Sequence, residues 1–413
     1  MTATSIGLKV SLLATLIISL RLFSPVVKLS FIEQVLTLAI FVIFLCVIIR
    51  SKDFKFKLVY FSVLSCLFFL SLFNGMLTTL VFDLSFVEPL RSVIRYFALL
   101  VIIILPIYVK INFNEVNRYY CWFILLPGAI FVLISVMIGG YAEYQGQLRL
   151  AFPYSNPNSL ALFCLNSIFI LSCNLFTRSR NSSLFLIPIV IFSYGLVKSG
   201  GLTALSSLLV FALFVYLLSF PLWRKLALVP IVATVSALAF YFSYDLIYQR
   251  LDGVVFTDFS SMELSQGSSV LWRLRAWSVY IDTMTLIDYI FGHGLGVSRF
   301  LLVETSPVSN VYNFSAPGTH SDYVQLFIDF GLIGVVLFFA LVKNLISLLS
   351  RLSRVDTRSN VFIAFVFCIL TYMLMDNVLD TAFFFYVAFY FSCYIASKST
   401  LHSHSNLNPH SPL

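Results

Sequence analysis

The chain has 413 residues, of which 60% are hydrophobic and 11% charged, with a formal net charge of +8 and a mean hydropathy of +0.97. Soluble domains carry roughly 25% charged residues, and a soluble fold has no way to keep this much apolar surface from water. That excludes a cytosolic enzyme, a nucleic-acid binder and a disordered chain, and the continuous, non-alternating apolar stretches exclude a transmembrane barrel.

In chain order, apolar runs of helix-spanning length fall at roughly 6–23, 31–50, 58–82, 91–109, 119–138, 159–176, 184–198, 202–220, 226–243, 326–349, 361–379 and 382–396. They predict an all-α polytopic membrane protein of about 12 transmembrane helices, the last two joined by a tight hairpin at Leu379–Thr381. The first run has no small-residue cleavage site and is read as a retained span. Loops after the even-numbered runs hold most of the cations, among them Arg50, Lys52, Lys110, Arg178, Arg224, Arg351, Arg354 and Arg358. The positive-inside rule then puts both termini in the cytoplasm and the odd-numbered loops outside. It also accounts for the net charge without any nucleic acid. All seven cysteines lie in apolar runs, so neither a disulfide framework nor a metal site is expected.

One connection breaks the pattern of short loops. Helices 1–9 occupy 1–243, a loop of about 80 residues fills 244–325, helices 10–12 occupy 326–396, and 397–413 is a polar tail. Loops this long are usually functional or disordered. This one holds Trp272, Trp277, an apolar helix-like stretch from Leu271 to Phe291 and a glycine turn at Gly292, Gly294 and Gly296. It is therefore expected to be a folded, outward-facing cap. The tail is expected to be disordered, and its histidines are read as incidental.

Four local patterns are able to carry chemistry. His320 stands where the long loop enters span 10; on a helix it shares a face with Tyr323, Val324 and Phe327. Its proton affinity lies near neutrality, and Asp322 is close in sequence; an interfacial histidine at a helix entry is the plainer account. Arg273 and Arg275 stand among tryptophans, and fit either phosphate recognition or interfacial anchoring. Arg149 precedes Asn156-Pro157-Asn158, a turn and helix-start signal whose plainer reading is an N-cap. Arg91 and Arg95 share a helix face and repel unless an anion or an acidic partner lies between them. Together with Lys198, these outward cations run against the positive-inside trend, and a polyanionic lipid headgroup explains them. No P-loop, dinucleotide fingerprint or HExxH zinc motif occurs.

In order, Arg149 with Asn156-Pro157-Asn158, Arg273-Leu274-x-x-Trp277, Phe291-Gly292-x-Gly294-x-Gly296, and His320-Ser321-Asp322-Tyr323-x-Gln325 through Gly331-x-x-Gly334 resemble motifs of the O-antigen ligase/polymerase superfamily. The resemblance implies a bacterial inner-membrane glycosyltransferase that works at the periplasmic face with no cofactor or metal. Its donor would be an undecaprenyl-diphosphate-linked glycan, and its partners the lipid bilayer and chain-length regulator and flippase proteins. It implies His320 as base and Arg273 as the cation on the leaving diphosphate. Arg149, Arg91, Arg95, Lys198, Arg275 and Asn158 would help bind the substrate. Asp322 would orient His320, while Tyr323 and Gln325 would contact sugar. The His-Ser-Asp-Tyr form looks more like polymerases than ligases, which move the glycan to lipid A-core. Lys198-Ser199 stands where many relatives carry Ser-Arg. A lipid-linked glycan flippase would share the composition, although internal repeats are not evident.

Overall fold

The computed structural model describes residues 3–24, 72–80, 111–144, 147–154, 156–176, 182–219, 269–299, 319–379 and 381–405, with isolated helical positions at 35, 94, 96, 99, 102, 103, 105 and 106. The run at 226–243, nearly all of 31–50, and most of 58–82, of 91–109 and of the 244–325 loop lie outside the described residues.

Within them the chain is nearly all helical, in the order α1 (Ala3–Phe23), α2 (Phe113–Tyr120), a π-helical turn (Cys121–Leu125), α3 (Leu126–Met137), strands β1 (Tyr141–Tyr144) and β2 (Gln147–Leu150), α4 (Pro157–Leu175), a 3₁₀ turn (Ser182–Phe185), α5 (Leu186–Ser199), α6 (Leu202–Ser219), α7 (Ser269–Asp282), α8 (Leu286–Phe291), α9 (Asp322–Leu352), α10 (Arg358–Tyr372) and α11 (Ala382–Ser405). Phe113–Met137, Pro157–Leu175, Leu202–Ser219 and Asp322–Leu352 are long and apolar enough to cross a bilayer, and three shorter apolar helices accompany them. The protein is a multi-pass helical membrane protein. One element departs from the all-α expectation: β1 and β2 form an antiparallel hairpin in which Ala142 faces Arg149.

The core is a stack of aromatic rings. Phe169 of α4 lies 3.8 Å from Phe365 of α10 and edge-on to Phe211 and Phe362. Such pairs add about 0.5–1.5 kcal/mol each beyond area burial. Between spans, where water is absent from both folded and separated helices, this dispersion is a main source of packing energy. Ser19 of α1 donates to the carbonyl of Phe123 inside the π-helical turn at 2.7 Å, so a neighbour satisfies the group that the wider turn displaces.

Helix α6 runs antiparallel to α10. Asn360 donates to the Leu218 carbonyl at 3.1 Å, Phe214 stacks on Phe367 at 4.1 Å, and Phe211 reaches Phe365. The start of α6 and the end of α10 therefore share one end of the bundle. The opposite end is rich in cations. There Asp356 binds Arg358 at 2.9 Å and Lys398 at 2.8 Å, and Arg358 also lies over the Phe113 ring. Burial pushes the Asp356 carboxyl up, but hydrogen bonds from Arg358 and Lys398 outweigh it and hold the carboxyl at about 2. This clamp holds α11 at Lys398, and the helix runs to Ser405, past the expected end at 396. The link between the last two helices is longer than the expected three-residue hairpin, because α10 already stops at Tyr372.

Candidate active site

His320 is not on a helix. It lies two residues before α9, with φ at +50°, the left-handed region that side chains other than glycine and asparagine rarely adopt. The expected face shared with Tyr323, Val324 and Phe327 does not form, because Ser321 is the extended N-cap and the helix begins at Asp322. The turn is pinned on both sides. Trp277 Nε1 of α7 donates to the Thr319 carbonyl at 2.6 Å. Ser321 Oγ and the Asp322 N–H both donate to the Met373 carbonyl, at 3.1 and 3.0 Å.

The carboxylate of Asp322 reaches the α10–α11 loop. Its Oδ2 accepts from the N–H groups of Val378 at 2.7 Å and Leu379 at 3.2 Å. Gln325 accepts from Asn377 Nδ2 at 2.7 Å and donates to the Tyr96 hydroxyl at 3.1 Å. The Tyr323 hydroxyl donates to the Leu370 carbonyl at 2.9 Å. These three residues, expected to tune the histidine or touch sugar, thus tie the His320 turn to its neighbouring helices. Strain at one residue persists only where the surroundings over-determine it, and this network supplies that constraint.

Arg273 sits on α7, one helical turn before Trp277. Burial lowers the proton affinity of His320, and the Arg273 charge lowers it further, to about 4. The imidazole is therefore neutral at physiological pH. Arg273 also acts on Asp376, whose carboxyl burial pushes up while the Asn377 N–H, Arg273 and the Tyr372 hydroxyl pull it back. Sequence reading missed Asp376 and Asn377. The available signal was an acid–amide pair in a short link between two apolar helices, where a buried carboxylate is costly without a partner.

Arg149 occupies a second locus at the same end. Strand β2 delivers it, buried, to the C-terminus of α5, where Nε donates to the Ser199 carbonyl at 2.8 Å and Nη2 donates to the Gly200 carbonyl. Gly200 ends the helix in the left-handed conformation, and a Cβ there would meet Arg149 Nε at 2.7 Å. Lys198, exposed in the last turn, lies 5.8 Å from the Tyr194 ring. Both cations complement the negative end of the helix dipole. Asn156 caps α4 by accepting from the Asn158 N–H at 2.8 Å, and Asn158 is half-buried. Arg91, Arg95 and the Arg275 side chain lie outside the described residues. A fork donating to two carbonyls is not replaceable by a point charge. Arg149→Lys is therefore expected to cost about 1–3 kcal/mol of stability, read as a lower thermal midpoint in detergent.

The structure thus brings Arg273, His320, Asp322, Tyr323 and Gln325 together around the loop from Met373 to Leu379. Arg149 and Lys198 gather at the α5 terminus, at the same end of the bundle. Among the described residues, no three His, Cys, Asp or Glu side chains are grouped to hold a metal ion. A neutral imidazole on a constrained turn, within the field of a guanidinium, is equipped to take a proton while negative charge develops nearby.

No curated protein matches the chain. Residues 165–339 match the family model described as O-antigen ligase, a stretch that includes Lys198, Arg273 and His320. That match supports placing residues 165–339 with the O-antigen ligase/polymerase superfamily.

Proposed function

We propose that the protein is a polysaccharide polymerase. It transfers a growing glycan from undecaprenyl diphosphate to the next lipid-linked repeat unit at the periplasmic face of the inner membrane, with inversion and without a metal. The observation that carries the reading is the neutral His320 on its strained turn within the field of Arg273, at the bundle end opposite the cation-rich one. By the positive-inside rule that end faces outward.

In the reaction, the acceptor hydroxyl oxygen attacks the anomeric carbon. Its proton passes to His320, and the bond from the anomeric carbon to the phosphate oxygen breaks. The electron pair stays on the diphosphate, whose growing charge Arg273 stabilises. Asp376, on whose carboxyl the Arg273 charge acts, is assigned to positioning Arg273. Polymerase is favoured by the His-Ser-Asp-Tyr form of the motif. The ligase reading has the description of the matching family model on its side.

A deletion strain separates the readings on one gel. Loss of a polymerase leaves lipid A-core bearing a single repeat, whereas loss of a ligase leaves bare core and lipid-linked polymer. Lipid-linked repeats that accumulate on the cytoplasmic side would instead mark a flippase.

The pH dependence follows from the lowered histidine. A base that protonates at about 4 stays competent as pH falls through 6.5, the ordinary histidine value. Transfer by purified protein in vesicles should fail only as pH drops through about 4. Arg273→Gln removes the smaller of the two causes, so the acidic limb of its residual activity should move up and stop short of 6.5.

A further inference from the structure

We propose that the segment from Leu286 to Val297 is a re-entrant element of the membrane domain, with the outer face of α8 immersed in the hydrocarbon of the outer leaflet. Sequence reading placed this stretch in an aqueous cap. Its contacts put it deeper. Tyr289 packs on Phe327, the His293 N–H donates to the Ile328 carbonyl at 2.7 Å, and the Gly294 N–H donates to the Asp329 carbonyl at 3.1 Å. At 1.5 Å per residue, Phe327 and Gly331 lie about 7 and 13 Å along α9 from Asp322. Interfacial helices enter about 5–10 Å into the boundary.

Three further observations agree. First, Leu286, Ile287, Ile290 and Phe291 are 80, 68, 42 and 57% exposed. The helix they sit on abuts the break at Gly331, directly before the exposed Leu332, Ile333 and Val336 of the spanning helix. The two exposed apolar stretches thus lie next to one another at this crossing, and one of them belongs to a span. Second, the single carboxylate of α8, its only side chain charged at neutral pH, turns inward. Asp288 accepts from the Thr285 N–H and hydroxyl and lies 3.6 Å from Nδ1 of buried His293. Third, the irregular backbone after α8 is satisfied by protein. Besides the two bonds to α9, Gly292 N–H donates to the Asp288 carbonyl, and Ser298 N–H to Asp329 Oδ1. The carbonyls of Gly292 and His293 accept from Asn74 Nδ2 and Thr78 Oγ1. Non-helical backbone persists at membrane depth only under that condition.

The test is alkylation by a membrane-impermeant maleimide in proteoliposomes, with the unmodified protein correcting for native cysteines. Asp282→Cys, on the exposed end of α7, reports access to the same side. Leu286→Cys and Ile287→Cys should react at least about tenfold more slowly than Asp282→Cys in intact vesicles, because a thiol in hydrocarbon forms little thiolate. They should recover in detergent. As a second readout, the added fluorescence of Ile287→Trp should be quenched by brominated acyl chains and not by aqueous iodide. Equal labelling in intact vesicles would overturn the proposal, and so would labelling that stays blocked in detergent, which would mean that protein covers the face. Neither readout depends on glycan transfer, so either failure leaves the proposed activity standing.

Discussion

Replacing His320 with alanine is expected to slow glycan transfer by about 10²–10⁴, with the protein still present in the membrane at its normal level. Long-chain polysaccharide on a gel, or polymer formed by purified protein in vesicles, reads the loss. The magnitude is that of removing a general base while the charge-stabilising groups remain. The turn itself should survive. Trp277 to Thr319, Ser321 to Met373 and Asp322 to Val378 pin it through bonds that do not use the imidazole. Alanine at a positive φ costs about 1–2 kcal/mol, so His320→Asn is the sharper variant. Asparagine tolerates the left-handed region, yet its amide is no base at neutral pH. Wild-type chain lengths from both variants at matched protein level would remove His320 from the chemistry.

In the proposed mechanism Arg273 and His320 act on one transition state, so their losses should not add. Groups that work as a unit cost nearly as much singly as together. The double variant should therefore fall little below the weaker of the two single ones. Additive losses would mean that the two side chains serve separate steps.

What the sequence revealed follows from what its periodicity measures. Continuous apolar runs report burial in lipid, so the spans at 159–176, 202–220 and 326–349 match α4, α6 and α9 within a few residues. The same signal is blind to backbone breaks that distant groups repair. Gly331 and Gly334 read as ordinary members of the histidine helix, because nothing local says that carbonyls at Ile328 and Asp329 will find donors in the His293 loop. His320 read as helical for the same reason, since its positive φ is imposed by contacts from α7 and the α10–α11 loop. Arg149 was legible as an outward cation but not as a clamp on Ser199 and Gly200, which lie some fifty residues away in sequence. Asp376 was passed over because a lone acid between apolar runs looks like a solvated turn until Arg273 stands beside it.

The second large effect is expected at the break in α9. Gly331 has φ +64° and ψ −165°, a region essentially closed to other residues. A Cβ there would stand 2.3 Å from the Ile290 carbonyl oxygen and 2.6 Å from the Gly292 nitrogen. Both are backbone atoms, so no side chain can swing aside. The conformational part alone costs about 1–3 kcal/mol. Relieving the collision must also push α8 off α9, which strains the bonds from His293 and Gly294 to Ile328 and Asp329. Gly139 provides the control, because its φ is +69° but nothing lies within 4 Å of its would-be Cβ. Gly139→Ala should lower the thermal midpoint in detergent slightly, and Gly331→Ala by several times as much, with reduced yield from membranes. Activity should separate the two as well. The half-helix from Asp322 to Phe330 connects the break to the His320 turn, so a shift at Gly331 reaches the proposed base. Equal midpoints for the two variants would show that the crossing yields without cost and that the His320 turn does not depend on it.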